Sequence, residues 1–537
     1  MSPSTRFARS GQVLTTARGA AAIAAAVVAL AAIVPYLPSL DDYFVRDDFG
    51  VVELLSQKPA SYFPRWFYSS WMDFIWGYTP DEIRPFPAVS YQLTALGGHA
   101  SPRLHHALNV LLHAGNGVLV LAVARGAASL SWPGATLAGL VFVLLPVHTE
   151  SVAWITGRVD SMPAFFYLAA FVSYVKWRHA GPAAWRWYTT ALVLFFVALF
   201  TKQNTITMVA TLAGYDLLVR RRSLGSPLDL LLPYVPFVAL TAGYLWLRYL
   251  LFGQVAREGA LNARALHDFA IIFNRHLTHV VAGDSEVTRV AAVLGVLAVV
   301  GVWLGAGRRD GLKLVYFGPL WWAIGIAPVL VAGYSSPRHV YLAAVGWAIA
   351  VAIAFEHARD AWPARRHRQA IAVASLAVLG WYAVGLVRSV REWGTIAGVS
   401  HQAVLDLRAA ALTLPEGSLV VVGAPQRSWE WALPYAIRPP FVRSPLDERV
   451  NVISPRALSC CATQWFSDTQ AAIGRWSAGA ARDSAVALRW DQRTGAVSRA
   501  ESADMPQLTV LVRALQDIQQ PDELDATLRR MLYELVR

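Results

Sequence analysis

Residues 144–160 read LLPVHTESVAWITGRVD, which sets His148, Glu150, Arg158 and Asp160 between two apolar runs each long enough to cross a bilayer. Charge in such a place costs roughly 2.5–3.5 kcal/mol at mid-helix and less toward the interface, so ionisable side chains there point to function by default. Carboxylates can take protons and cations can hold anions. A self-satisfied hairpin, with Glu150 or Asp160 closing an ion pair to Arg158, is the plainer reading of the same four residues.

Three further clusters carry candidate chemistry. FVRDDFG (44–50) puts Asp47 and Asp48 side by side just before VVELLS, where one Asp could cap a helix and the second needs another reason. RLHHALNVLLH (103–113) stacks His106, Asn109 and His113 at i, i+3 and i+7, one helical face, which suits helix-packing hydrogen bonds as well as a ligand. The His106–His113 spacing is not the i, i+4 of two helical zinc ligands, so no metal site is assigned, and the sequence leaves open whether a divalent metal takes part. Lys202 in LFTKQNTI and Arg338 in SSPRHVYL are lone cations in apolar turns.

These groups define a reaction type. Cations beside lipid can hold the phosphate of a lipid-linked donor, Arg as a fork and Lys as a point charge. A carboxylate of the first loop can take the proton of an acceptor hydroxyl. Phosphate leaves without protonation, so one base suffices, and direct attack inverts the anomeric carbon.

The elements that must position these groups are membrane spans. The chain has 537 residues, 55% hydrophobic and only 15% charged, against about 25% charged in soluble domains. Apolar windows of about 20 residues predict about eleven spans, near 19–37, 104–124, 134–148, 160–176, 187–201, 204–219, 228–251, 287–306, 314–332, 340–356 and 370–388. Alternate connections from the N-terminus are rich in basic residues (Arg6, Arg9, Arg18; Arg125; Lys176, Arg178, Arg186; Arg220, Arg221, Arg222; Arg308, Arg309, Lys313; Arg359, Arg365, Arg366, Arg368). The three short connections opposite hold one each, Arg158, Lys202 and Arg338. The positive-inside tendency therefore predicts a cytoplasmic N-terminus, with the candidate site and the C-terminal domain outside. It also accounts for the net charge of +12, which argues here for topology and not for nucleic acid. The first apolar run follows three arginines like a signal peptide, but its length and the absence of a cleavage pattern predict an uncleaved span.

Residues 1–391 thus read as a transmembrane domain with two long outer loops, 38–103 and 252–286. The stretch from Tyr62 to Trp76 is dense in aromatics and predicts interfacial helices at the headgroup level. In the second loop Leu266, Phe269, Ile272 and Phe273 recur at helical spacing. Residues 392–537 read as a small extracytoplasmic α/β domain, with strands expected at 418–425, 450–454 and 485–490 and a terminal helix opened by Pro521 and Asp522. The adjacent Cys460 and Cys461 cannot easily bridge one another and read as two thiols. No repeat or low-complexity tract is visible.

The motifs resemble the GT-C glycosyltransferases, in particular the membrane part of the transmembrane and tetratricopeptide-repeat-containing O-mannosyltransferases. FVRDD (44–48) is similar to that group's acidic first loop, IRPFPAVSYQL (83–93) to its Arg-Pro segment and HHALNVLLHAGNGVLV (105–120) to its second span. LPVHTESVAWITGRVDSMPAFFYL (145–168) is similar to its His-x-Glu and Gly-Arg-x-Asp hairpin; KQN (202–204) and PRHVYLAAVG (337–346) match more loosely. The resemblance implies an α-helical GT-C-like fold and an inverting transfer of a sugar, a mannose-like hexose among the candidates, from a polyprenyl-phosphate donor to a hydroxyl of a protein, lipid or glycan. It implies Asp47 or Asp48 as base, and Glu150, Arg158, Asp160, Lys202 and Arg338 around donor or acceptor. Arg84, His106 and His148 are further candidates for binding donor or acceptor, and the expected location is the bacterial inner membrane, as a multi-pass protein. Two carboxylates of that group's pattern are replaced, by Gln203 and Pro337, and the repeats give way to residues 392–537.

A transporter or flippase of lipid-linked saccharides shares this hydropathy, but would want charge or broken helices near the bilayer midplane. A non-catalytic anchor for residues 392–537 would leave the outer cations and the acidic loop without a purpose.

Overall fold

The computed structural model describes residues 3–73, 80–95, 101–220, 231–255, 263–282, 312–423, 433–443, 445–453, 472, 474–476, 485–491 and 493–499. The span expected at 287–306, the aromatics Phe74, Trp76 and Tyr78, Cys460 and Cys461, and the helix after Pro521 lie outside the described residues. The chain divides into two compact units, one of residues 1–39 and 106–391, the other of 40–105 and 392–537.

The first unit is helical. Its α-helices are α1 Pro3–Ile33, most of α4 Pro102–Gly126, α5 Trp132–Leu144, α6 Thr149–Ala153, α7 Arg158–Ala180, α8 Trp185–Leu199, α9 Met208–Tyr215, α10 Val235–Phe252, α11 Ala263–Ala282, α12 Leu312–Val331, α13 Ala344–Ala361 and the start of α14 Arg365–Thr413. Among the described residues, five helices are long and apolar enough to cross a membrane, and six if the bent pair of 132–144 and 146–153 counts as one. The chain is an integral membrane protein. Their exposed faces carry large apolar side chains, such as Ile23, Leu111, Trp246 and Leu376, as lipid-facing helices should.

Several boundaries differ from the hydropathy reading for local reasons. The span expected at 134–148 stops at Leu144, because Pro146 forces Leu145 into an extended conformation (φ −61°, ψ 120°) and the chain bends by 52°. The span expected at 370–388 is part of a 49-residue helix, since nothing between Arg365 and Thr413 breaks it: no proline falls there and only four glycines do. Helices α12 and α13 pack at backbone distance, for a Cβ on Gly346 would lie 2.4 Å from the Gly318 carbonyl oxygen. Small residues at such crossings bring membrane helices together. Toward the C-terminal end of α7, Arg178 pairs with Asp216, which also accepts from the hydroxyls of Tyr174 at 2.7 Å and Tyr234 at 2.6 Å. A basic residue of a connection between helices is therefore also fastened into the helix bundle.

The second unit contains α2 Asp48–Ser56, α3 Pro85–Thr94, the rest of α14, the short helix α15 Leu433–Ala436 and a four-stranded sheet. Its strands are β1 Leu419–Gly423, β2 Asn451–Ile453, β3 Ala485–Trp490 and β4 Val497–Arg499, in the order β2-β1-β3-β4. β1 is parallel to both neighbours, with Leu419 opposite Asn451 and Ala485, and β4 is antiparallel to β3. The central position of β1 explains its unbroken apolar run: Leu419 to Val422 are all buried, as a parallel strand covered on both faces requires. β4 is three residues long with a mostly exposed pattern, and had no signature in the sequence.

The first loop also departs from expectation. Residues Ala60–Phe67 form a 3-10 helix, where Pro64 withholds the amide that an α-helix would need. Trp66 and Trp71 are buried inside the unit instead of being displayed to headgroups. The tryptophans are core residues here.

Candidate functional site

The bend at Pro146 and the turn before α7 form the hairpin that carries the opening cluster. Gly157 makes its closure possible: a Cβ there would fall 2.3 Å from the Glu150 carbonyl oxygen and 2.9 Å from that of Trp154. Only glycine allows backbone to approach backbone so closely. From α4, Asn109 locks the hairpin by donating to the carbonyls of Val152, Trp154 and Ile155 at 3.3, 3.0 and 3.2 Å. Its own carbonyl oxygen accepts from Arg158 Nε at 2.8 Å. Arg158 is fully buried and its partner is the helix-face asparagine, so one residue ties hairpin backbone and cation together.

Asp160, 3% exposed, is the hub of the cluster. Lys202 pairs with its Oδ1, Arg338 Nε lies 3.8 Å from its Oδ2, and His339 Nδ1 lies 3.9 Å from its Oδ1. Glu150 faces the same segment, accepting from the Ser336 hydroxyl at 2.7 Å and from the Arg338 amide at 3.4 Å. The Arg338 guanidinium lies over the Trp154 ring, 4.7 Å from its centroid, and its side chain stays 23% exposed. Two cations, Lys202 and Arg338, thus gather at one carboxylate, Asp160. The surplus of one positive charge, with Arg338 open to solvent, suits an anion.

Behind the hairpin lies a polar core within the bundle. His113 meets the Tyr341 hydroxyl at 2.7 Å and the Val143 carbonyl at 3.1 Å, and Asn116 donates to the Ser161 carbonyl at 2.8 Å and to Tyr341 at 3.1 Å. His148 is buried against the rings of Tyr341 (4.4 Å) and Phe142 (4.6 Å). His106, also buried, lies one turn before the Asn109 lock. These contacts make His113 and Asn116 packing residues of the bundle. His339, Ser336, Asn116 and Tyr341 were missed in the sequence; the proximity of His339 and Tyr341 to Arg338 in PRHVYL is the signal that could have found them.

The acidic loop belongs to the second unit. Asp48 is buried, and one of its oxygens accepts the Val45 amide at 2.9 Å. Asp47 occupies the N-cap position of α2 without a side-chain cap bond and is half-buried. Capping therefore does not explain this aspartate pair. Arg46, just before them, holds φ +55°, a left-handed conformation that is strained for a residue with a side chain. In the same unit Arg84 pairs with Glu82 at 2.8 Å and lies over Trp71, whose indole donates to Glu82 at 2.9 Å. Asp42, next to Asp41, has its carboxyl pushed up to about 6 by burial and by that neighbour; burial likewise raises Glu53, opposed by the Arg438 charge. Among the described residues no group of three or more His, Cys, Asp or Glu side chains could hold a metal ion.

Known structures share this architecture. The fold is similar to that of ArnT from Cupriavidus metallidurans bound to undecaprenyl phosphate, with TM-score 0.50 and 15% identity over 87% of this chain and 92% of that one. It is also similar to the archaeal oligosaccharyltransferase AglB from Archaeoglobus fulgidus, solved with an inhibitory peptide and a dolichol-phosphate, with TM-score 0.54 and 11% identity over 92% of this chain and 71% of that one. Both are GT-C glycosyltransferases, and the chain has their fold. In sequence it resembles the transmembrane O-mannosyltransferases. It is 34% identical over 199 residues to Protein O-mannosyl-transferase Tmtc2 of Drosophila melanogaster, 35% of this chain and 21% of that protein. It is 30% identical over 216 residues to human Protein O-mannosyl-transferase TMTC4, 36% of this chain and 29% of that protein. Each match covers a minority of the relative's length. No family model matches the chain.

Proposed function

We propose that this protein is a membrane glycosyltransferase that moves a sugar from a polyprenyl-phosphate donor to an acceptor hydroxyl on the extracytoplasmic face. The observation that carries the reading is the buried cluster of Asp160, Lys202 and Arg338, with its surplus of positive charge, in a fold shared with a protein bound to undecaprenyl phosphate and another in complex with a dolichol-phosphate. Lys202 and Arg338 hold the donor phosphate. Asp160 keeps the two cations in register, and Arg158 and Glu150 fix the hairpin and the segment that carries Arg338. The names of the relatives favour a mannose-like hexose and a protein acceptor.

In the reaction the acceptor oxygen attacks the anomeric carbon, the bond from that carbon to the phosphate oxygen breaks, and polyprenyl phosphate leaves with the bonding electrons. The anomeric configuration inverts. The acceptor proton passes to Asp47, which we choose over Asp48 because the latter is buried and spends an oxygen on the Val45 amide. Arg84 stabilises the wall of the first loop through Trp71 and Glu82. We place the protein in the bacterial inner membrane, and its basic loops favour a cytoplasmic N-terminus.

The test is incubation of the purified protein with a panel of undecaprenyl-phosphate hexoses and candidate acceptors, with release of undecaprenyl phosphate as the readout. Release that Asp47→Asn abolishes, with the variant still folded, is the expected result. Wild-type rates retained in Asp47→Asn and in Asp47→Asn/Asp48→Asn would remove the loop carboxylates from the mechanism.

A further inference from the structure

We infer that Trp393, Ser400, Arg408 and Phe441 of the C-terminal segment form a clamp that holds the acidic loop in its working conformation, a role that rests on the reading of Asp47 as the base. A non-glycine residue in the left-handed region is strained and persists only where its surroundings over-determine it. Arg46, at φ +55°, is immediately before Asp47. The contacts that over-determine it come from far along the chain but within the same compact unit.

Ser400, fully buried on α14, donates its hydroxyl to the Phe44 carbonyl at 2.6 Å. The Phe441 ring meets Phe44 edge-on at 4.9 Å and Phe49 at 5.0 Å, so one side chain grips the loop on both sides of Arg46, Asp47 and Asp48. Arg408 spans the clamp, donating to the Phe441 carbonyl at 2.6 Å and to the Tyr43 hydroxyl at 3.4 Å. The Arg46 guanidinium lies 5.7 Å from the Trp393 ring centroid. Positions 43, 44, 46 and 49 are each held by a residue of 393–441, and the two carboxylates lie between them. Aromatic pairs of this geometry are stabilising beyond their buried area, and with the Ser400 bond they oppose relaxation of the strained turn. Ser400, Phe441 and Arg408 are positioning residues. They act through the loop backbone and set where the Asp47 carboxylate points.

The experiment compares wild type, Phe441→Ala, Phe441→Leu and Ser400→Ala, purified as full chains. Two quantities are read: steady-state transfer from an undecaprenyl-phosphate hexose, and backbone hydrogen exchange over residues 44–50. A misplaced catalytic group of about 1 Å costs on the order of 100-fold, so Phe441→Ala should lower kcat roughly 10- to 100-fold with donor KM within twofold. Exchange over 44–50 should accelerate while that of β1 is unchanged, Ser400→Ala should follow in the same direction, and Phe441→Leu should recover much of kcat. Wild-type exchange over 44–50 in both Phe441→Ala and Ser400→Ala overturns the clamp, as does undiminished kcat in both. Absence of transfer by the wild type would count against the glycosyltransferase reading alone, and the exchange data would still decide the clamp.

Discussion

Removal of the Asp160 charge is the sharpest perturbation of the buried cluster. In Asp160→Asn, Lys202 and Arg338 lose the carboxylate whose side chain is 2% exposed and which they share. Breaking a buried ion pair from one side costs about 3–5 kcal/mol, because the remaining charge is stranded away from water. Asp160→Asn strands two cations, whereas Lys202→Met leaves Asp160 facing Arg338 at 3.8 Å. The first should fall at the upper end of that range and the second at the lower end. In Asp160→Asn/Lys202→Met both members of the tight pair are neutral, and the double variant should be more stable than Asp160→Asn. The assay is equilibrium unfolding of the four proteins in mixed micelles, read as a double-mutant cycle. Coupling of about 2 kcal/mol or more is expected; single effects that simply add, within about 0.5 kcal/mol, would refute the buried pair. The same proteins separate stability from ligand binding. Undecaprenyl phosphate at 100 times its wild-type Kd should stabilise the wild type by about 2.7 kcal/mol and stabilise the double variant, which keeps only Arg338 of the two phosphate-holding cations, by less.

Further expectations follow from single contacts. Gly157→Ala should lower the yield of monodisperse protein, because its Cβ meets two carbonyl oxygens that cannot move apart without opening the hairpin. Tyr341→Phe removes the partner of both His113 and Asn116 and should cost roughly 1–3 kcal/mol for each buried polar group left over, measured by thermal unfolding. Asp42 titrates about 6 in the folded chain against 3.8 ordinarily. A raised carboxyl pKa gives stability that is complete below pH 3.8 and lost as the pH rises through about 6, so Asp42→Asn should gain on wild type over that interval and then hold its advantage. Since Asp42 is only half-buried, solvent screening reduces the expected plateau to about 1 kcal/mol, visible in unfolding curves at pH 4.5 and pH 7.5.

Much of this was legible in the residues. Apolar runs of bilayer length mark helices because no other short segment satisfies its backbone in lipid, and the valine-rich 419–422 marks a covered strand. The i, i+3, i+7 polar face of α4 was visible too, though not that Asn109 would serve Arg158 and three carbonyls at once. Partnership across long sequence distances was not readable: Asp160 finds Lys202 and Arg338, and Glu150 finds Ser336, through tertiary packing that leaves no local periodicity. The same holds for the second unit. Nothing in FVRDDFG announces Phe441 or Ser400, more than 350 positions away. Prolines explain most boundary differences, through Pro146 at the hairpin and Pro64 in the first loop. The aromatic loop misled because burial of Trp66 and Trp71 and anchoring at headgroups draw on the same residue types.

The central claim is that Asp47 takes a proton while Lys202 and Arg338 hold a polyprenyl phosphate. One measurement tests it most directly: the rate at which undecaprenyl phosphate appears when wild type, Asp47→Asn and Arg338→Ala are each given an undecaprenyl-phosphate hexose and an acceptor. The account predicts release by wild type, release abolished in Asp47→Asn with donor binding intact, and donor affinity weakened in Arg338→Ala. Equal rates and equal donor affinity in all three proteins would contradict it.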